Sequence, residues 1–179
     1  IPRKVLVVRQ FSISVTLIIG TIIVFRQIQH AKSRPVGYSR EGLITLEMNT
    51  PEISGHYNAI RNDLLQTGAV EDMAESSSEA THIYNNNNGF EWKGKDPHTE
   101  MMFRTMDVTH DFGKTIGWEM KSGRDFSRSY ATDTGSVIIN ETAAKLMGLQ
   151  DPVGETIRWG KSPHPIVGVV KDMITGSPY

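Results

Sequence analysis

Residues 154–162 read GETIRWGKS and end in Gly-Lys-Ser, the ending of a loop that cradles phosphate. Such a loop needs four residues between its glycines, so that backbone N–H groups converge on the anion, and its Lys must open a helix. Gly154 and Gly160 have five residues between them, and Pro163 and Pro165 follow in a segment patterned as a strand. No nucleotide site is expected there. The six histidines are His30, His56, His82, His98, His110 and His164. No two stand at i, i+3 or i, i+4, the spacings that put two ligands on one helix face, and no HExxH occurs. Asp107, His110 and Asp111 are close enough in sequence to ligate a metal, but the same residues suit a surface turn better. Glu71 and Asp72 read as ordinary solvated charges. Asn140-Glu141-Thr142 is a glycosylation sequon, although its Asn stands where it makes a better helix cap. No Ser lies in a G-x-S-x-G context. With zero Cys there is no thiol nucleophile, disulfide framework, iron–sulfur cluster or Cys-ligated zinc. The sequence therefore predicts no catalytic, cofactor-binding or metal-binding residue, and a protein that is not an enzyme.

The elements that carry these residues fall into two parts with different charge. The chain has 179 residues, enough for about one domain and an appendage. Its first 40 residues hold Arg3, Lys4, Arg9, Arg26, Lys32, Arg34 and Arg40 and no acid. That leaves 12 of the 19 basic residues against all 20 acidic ones, a net of −8 over positions 41–179. An acidic globular part argues against non-specific nucleic-acid binding, which needs a basic face.

Phe11 to Phe25 reads FSISVTLIIGTIIVF, fifteen residues without a charge. Extended back to Val5, the apolar stretch is 21 residues, interrupted only by Arg9 and Gln10. As a helix it would be about 31 Å long, close to the hydrocarbon thickness of a bilayer. Ser12, Ser14, Thr16, Gly20 and Thr21 are small, as helix contacts in lipid prefer. A membrane span is expected. A buried core helix and a signal peptide have similar patterns, though no small-x-small cleavage site follows. Basic residues flank both ends, so charge does not orient the span. The opening Ile-Pro-Arg-Lys reads as the start of a piece of something longer. Pro35 and Gly37 are expected to end the helix.

Beyond it, LITLEM at 43–48 alternates and predicts a strand. Ser54 is placed to cap a helix running to about Thr67, with Tyr57, Ile60, Leu64 and Leu65 as its apolar stripe. Ala69 to Met73 would be a second strand, giving a β-α-β start. Ile83-Tyr84 and Phe90–Trp92, around the Asn85–Asn88 run and Gly89, read as a hairpin. Further strands are predicted at 102–108, 137–139, 157–159 and 166–170, and short helical segments at 111–116 and over ETAAKLMG. Asn140 would cap that last helix, and Ala143, Ala144 and Met147 would form its inner stripe. A Gly turn is expected within 120–126. The pattern is α+β.

The order of motifs carries a resemblance. Arg3-Lys4, the Val5–Phe11 run, the Ser-containing apolar helix, Gln27 and Gln29, and the turn at Gly37-Tyr38 come first. SGRDFS (Ser122–Ser127), SVIINETAAKLMG (Ser136–Gly148), DPVGETI (Asp151–Ile157) and IVGVVKDM (Ile166–Met173) follow. Together they resemble the extracytoplasmic domain of FtsX-like/MacB-like ABC transporter permeases with its preceding membrane helix; 75–100 matches no motif of that family. The resemblance implies a transmembrane helix and stalk over 1–40 and a periplasmic core domain over 41–179. It also implies a βαβ porter-like part formed by 41–74 with 131–179, and an inserted smaller strand-rich subdomain at 75–130. It implies no chemistry in the domain and no cofactor. The implied partners are a cytoplasmic ATP-binding subunit, membrane lipid, and a periplasmic adaptor or substrate; a homodimer is compatible with it. It implies the bacterial inner membrane, with 41–179 facing the periplasm. The role would be to couple ATPase-driven movement across the membrane to a periplasmic partner or substrate, in export or mechanotransmission. The alternative is a ligand-sensing ectodomain of a membrane-bound receptor, with a pocket around Tyr84, Phe90 and Trp92.

Overall fold

The structure, a computed structural model, describes residues 2–33, 36–48, 50, 53 and 55–176. The chain divides into two compact units, one formed by the N-terminal helix and the other spanning Val36–Ser177. Helix α1 covers Pro2–Ser33, 32 residues. Pro suits the first turn of a helix, where a missing N–H costs nothing. The stretch Pro2–His30 is long and apolar enough to cross a membrane, and none of it is buried within the chain. Phe11 leaves 71% of its surface exposed and Leu17 66%. Thr16 and Thr21 donate their hydroxyls to the carbonyls of Ser12 and Leu17, each at 2.8 Å. Hydroxyls satisfied inside the helix can tolerate apolar surroundings.

The second unit has mixed helix and sheet, the α+β class that the pattern predicts. In chain order it contains α2 (Tyr57–Gln66), β1 (Asn85–Asn87), β2 (Phe90–Glu91), β3 (Phe103–Thr105), α3 (Phe112–Ile116) and β4 (Met120–Gly123). A 3-10 turn (Ala131–Gly135), β5 (Val137–Asn140), α4 (Glu141–Leu146), β6 (Thr156–Trp159) and β7 (Ser162–Val170) follow. The long strand β7 organises the main sheet. It pairs antiparallel with β6 and β4 and parallel with β5, while β2 extends the sheet beyond β6. The strands β1 and β3 form a separate antiparallel pair.

Parallel strands need a crossover, and α4 lies within the one joining β5 to β7. Its inward stripe is Ala143, Ala144 and Met147, packed with Ile139, Ile157, Ile166 and Val169. Ile166 is 1% exposed and sits at the centre of this core. Small Ala residues let α4 approach the sheet, and Phe90, Trp92, Phe103, Val137 and Leu149 cover the edge of the cluster.

Several strands differ from the sequence reading. Residues 43–48 enter no ladder among the described residues, and Ile44 and Leu46 are 81% and 80% exposed. Alternation sets which way side chains point, but a strand also needs a partner edge. Residues 69–73 form no strand either: side chains of Tyr57 and Arg61, not a neighbouring strand, take the Met73 carbonyl. The βαβ geometry thus lies at β5-α4-β7 and not at the start of the domain. The expected hairpin at 83–92 also separates. β1 pairs with β3 and β2 with β6, because the chain turns at Gly89 out of one sheet into the other. The cap proposed at Ser54 lies outside the described residues.

Candidate functional site at the first and last described segments of the domain

Val36 and Tyr38 are the first segment of the domain, and residues 171–176 are its last described segment. The two are bound to each other. The Ile174 N–H donates to the Val36 carbonyl at 2.9 Å, and Val36 is buried. Gly37 adopts φ +84, and a Cβ there would fall 2.5 Å from the Asp172 carbonyl oxygen. Only a glycine allows both the left-handed conformation and this approach. Ser39 then donates its N–H to the Ile116 carbonyl at 2.8 Å, fixing the incoming segment to α3.

Asp172 connects this junction to α4. Its Oδ1 accepts the Thr142 N–H at 3.0 Å and its Oδ2 the Thr142 hydroxyl at 2.7 Å. Asn140 caps the same helix, its Oδ1 accepting the Ala143 N–H at 3.0 Å. Two of the orphan donors of the first turn are therefore satisfied by side chains from two segments. The Asn140 and Thr142 side chains of the sequon are both used in this way. Lys171 donates its N–H to the Glu119 carbonyl at 2.9 Å and pairs its ammonium with the Glu119 carboxylate.

The SGRDFS motif builds a neighbouring staple. Gly123 at φ +71 brings the chain against β7, where a Cβ would meet the Val167 carbonyl oxygen at 2.3 Å. Arg124 then reaches Asp133 with two parallel bonds, Nη1 to Oδ2 at 2.6 Å and Nη2 to Oδ1 at 2.7 Å. The Arg124 guanidinium also covers the Tyr130 ring at 3.9 Å. Asp133 has a fully buried side chain and takes a further bond from the Ser127 N–H at 2.9 Å. The paired guanidinium holds its carboxyl below the ordinary carboxylate range. Asp125 behaves oppositely. Burial raises its pKa, although it accepts the Phe126 N–H and the Trp118 indole N–H.

A second polar cluster gathers residues that sequence reading left as solvent-facing. Asp72, paired with Glu71 as a solvated charge, is in fact a buried carboxylate with a side chain 6% exposed. Arg61 binds its Oδ1 at 2.6 Å, and Lys114 Nζ lies 2.8 Å from its Oδ2. Burial pushes its pKa up, but bonds from Lys114, the Met73 amide and Arg61 outweigh this and leave it lowered. Asp111 accepts Arg128 at 2.6 Å and stands 3.4 Å from Arg61 Nε and from the Tyr57 hydroxyl. Among the described residues no group of three or more His, Asp or Glu is placed to hold a metal, so Asp107, His110 and Asp111 do not come together as ligands. Gly160 and Lys161 form the tight link between β6 and β7, with no helix to follow them.

The aromatic trio is also separated. Trp92 donates its indole N–H to the Met147 carbonyl at 3.0 Å, and Phe90 stacks on Trp159 at 5.4 Å. Tyr84 is 60% exposed and contacts the His82 ring instead. Phe90 and Trp92 cover the core; the three do not line one pocket.

A helix long and apolar enough to cross a membrane thus precedes an acidic α+β domain whose first and last described segments are bonded to each other. The family described as MacB-like periplasmic core domain matches residues 11–178, and the chain belongs to it. This is a domain of ABC transporter permeases. Among solved structures, the chain is similar to the periplasmic region of MacB from Actinobacillus actinomycetemcomitans, at 18% identity and TM-score 0.47 over 66% of this chain and 52% of that one. It is also similar to a domain of a Porphyromonas gingivalis protein described as a permease, at 21% identity and TM-score 0.42 over 56% of this chain and 40% of that one. The chain thus spans about half the length of the first of these and less of the second. Among curated proteins nothing matches.

Proposed function

We propose that this chain is the extracytoplasmic domain of an ABC transporter permease subunit, together with the membrane helix that drives it. Its role is to couple ATPase-driven movement to a periplasmic partner or substrate. The observation that carries this reading is the Val36–Ile174 bond with Gly37 packed on Asp172. On this reading a displacement delivered at Val36 passes to residues 171–176 and, through Asp172, to α4 and the β5–β7 core. On this reading α1 crosses the bacterial inner membrane and residues 41–179 face the periplasm. The domain divides into a porter-like part of 41–74 with 131–179 and an inserted part of 75–130. The partners are a cytoplasmic ATP-binding subunit, lipid around α1, and a periplasmic adaptor or substrate. Chemistry is left to the ATPase.

The test is a pull-down of the tagged full-length protein from native membranes, with ATP hydrolysis assayed in the eluate. A co-purifying nucleotide-binding subunit with activity supports the reading. A clean preparation without an ATPase, under conditions that retain known permease complexes, sinks it.

A further inference from the structure

The run Asn85–Asn88 before Gly89 has no part in the coupling described above. Asn88 and Gly89 lie between β1 and β2, outside both ladders, and both are exposed. They form the sole Asn-Gly step of the sequence. Gly89 stands in open space at φ +77, where even an added Cβ would meet nothing within 4 Å. The Asn88 main-chain carbonyl accepts the Trp159 indole N–H at 3.2 Å. That bond draws electron density out of the Asn88–Gly89 peptide group and makes the Gly89 N–H easier to deprotonate.

We propose that Asn88 is a covalent self-modification site, an asparagine that deamidates through its own main chain. The Gly89 nitrogen gives its proton to hydroxide and attacks Asn88 Cγ. The new C–N bond closes a succinimide ring. The Cγ–Nδ2 bond breaks, and Nδ2 leaves as ammonia with a proton taken from water. A water molecule then adds to one of the two ring carbonyls and opens it to aspartate or isoaspartate. No oxidant or reductant is involved.

The neighbouring asparagines show why the reaction is selective. Asn85, Asn86 and Asn87 are paired with Thr105, Arg104 and Phe103, and each is followed by a residue whose Cβ crowds the attacking nitrogen. Asn87 also spends its amide on the Thr105 hydroxyl at 2.5 Å. Asn140 is held as a helix cap. The product has consequences at this place in the fold. A new carboxylate would join Glu91 and Glu100 around the polar groove that also holds Lys95. Isoaspartate would lengthen the main chain by one methylene between the β1–β3 pair and the β2–β6 pair.

The experiment ages the purified full-length protein at neutral and mildly alkaline pH and maps its peptides by mass spectrometry, with isoaspartyl methyltransferase labelling. The expected result is a gain of one mass unit confined to the peptide containing Asn88, faster at the higher pH, and absent in Asn88→Gln. Trp159→Phe should slow the gain severalfold, with a synthetic peptide of residues 84–92 as the reference that lacks the Trp159 bond. An unmodified Asn88 peptide in protein aged until the synthetic peptide has reacted would overturn the proposal. So would equal gain at Asn140, or an unchanged rate in a folded Trp159→Phe protein.

Discussion

Gly37 is a residue whose substitution should report on the junction directly. Ala at φ +84 carries a backbone penalty of about 1–3 kcal/mol before its Cβ meets the Asp172 carbonyl. Gly37→Ala should therefore lower stability by at least that range in thermal unfolding of the detergent-solubilised protein, whereas Gly42→Ala, which meets nothing nearby, should carry the backbone penalty alone. Asp133 makes a prediction in pH. Arg124 holds its carboxyl below the value near 4 of an unfolded chain, so the folded state releases the proton at lower pH. The pair's contribution is complete above that unfolded value and is lost as pH falls through the folded one. Asp133→Asn should cost about 1–3 kcal/mol at neutral pH, and its deficit should shrink below about pH 4. Denaturant melts of both proteins across the acid range check this. At this scale the sequence was partly legible. Asn140 and its sequon are read correctly as a cap because capping depends on neighbours three residues away. Asp72 and Asp133 were not legible as buried charges, because their partners lie 11 and 9 residues away and only the fold brings them close.

Elements differ in the same way. Helix α4 is readable because its caps and its Ala143–Ala144–Met147 stripe are local. LITLEM has an equally clear pattern and forms no ladder among the described residues, since pairing is settled by distant residues. Asn-Gly signals a turn correctly at Gly89 but cannot say that the two flanking strands belong to different sheets. Two outcomes follow for the α4–β7 layer. Asn140→Ala should cost about 1 kcal/mol through loss of the cap. Ile166→Ala should cost about 2–5 kcal/mol, because the site is closed on all sides by the core and cannot easily collapse. Chemical denaturation of each variant, with an unchanged slope, would check that only the native packing was altered.

For the whole molecule, the proposed coupling predicts that stiffness between α1 and the domain matters more than any one side chain. A flexible Gly/Ser segment inserted after Ser33 should leave the ATPase bound and hydrolysing ATP while transport is lost. Uptake or export by the intact system, measured beside ATP turnover, separates the two. The family was legible from motifs spread over the chain, and the match over residues 11–178 agrees with that spread. Residues 75–100 gave no such signal; they hold polar loops and short strands whose partners are elsewhere in the chain. The Val36–Ile174 bond also sets how the domain answers to tension. A main-chain bond outside a ladder carries load alone, whereas bonds within a ladder share it. The junction should therefore stay closed when residues 36 and 176 move in step. It should open readily when they move in opposition, and tweezers attached at residues 36 and 176 would register that as unfolding at low force.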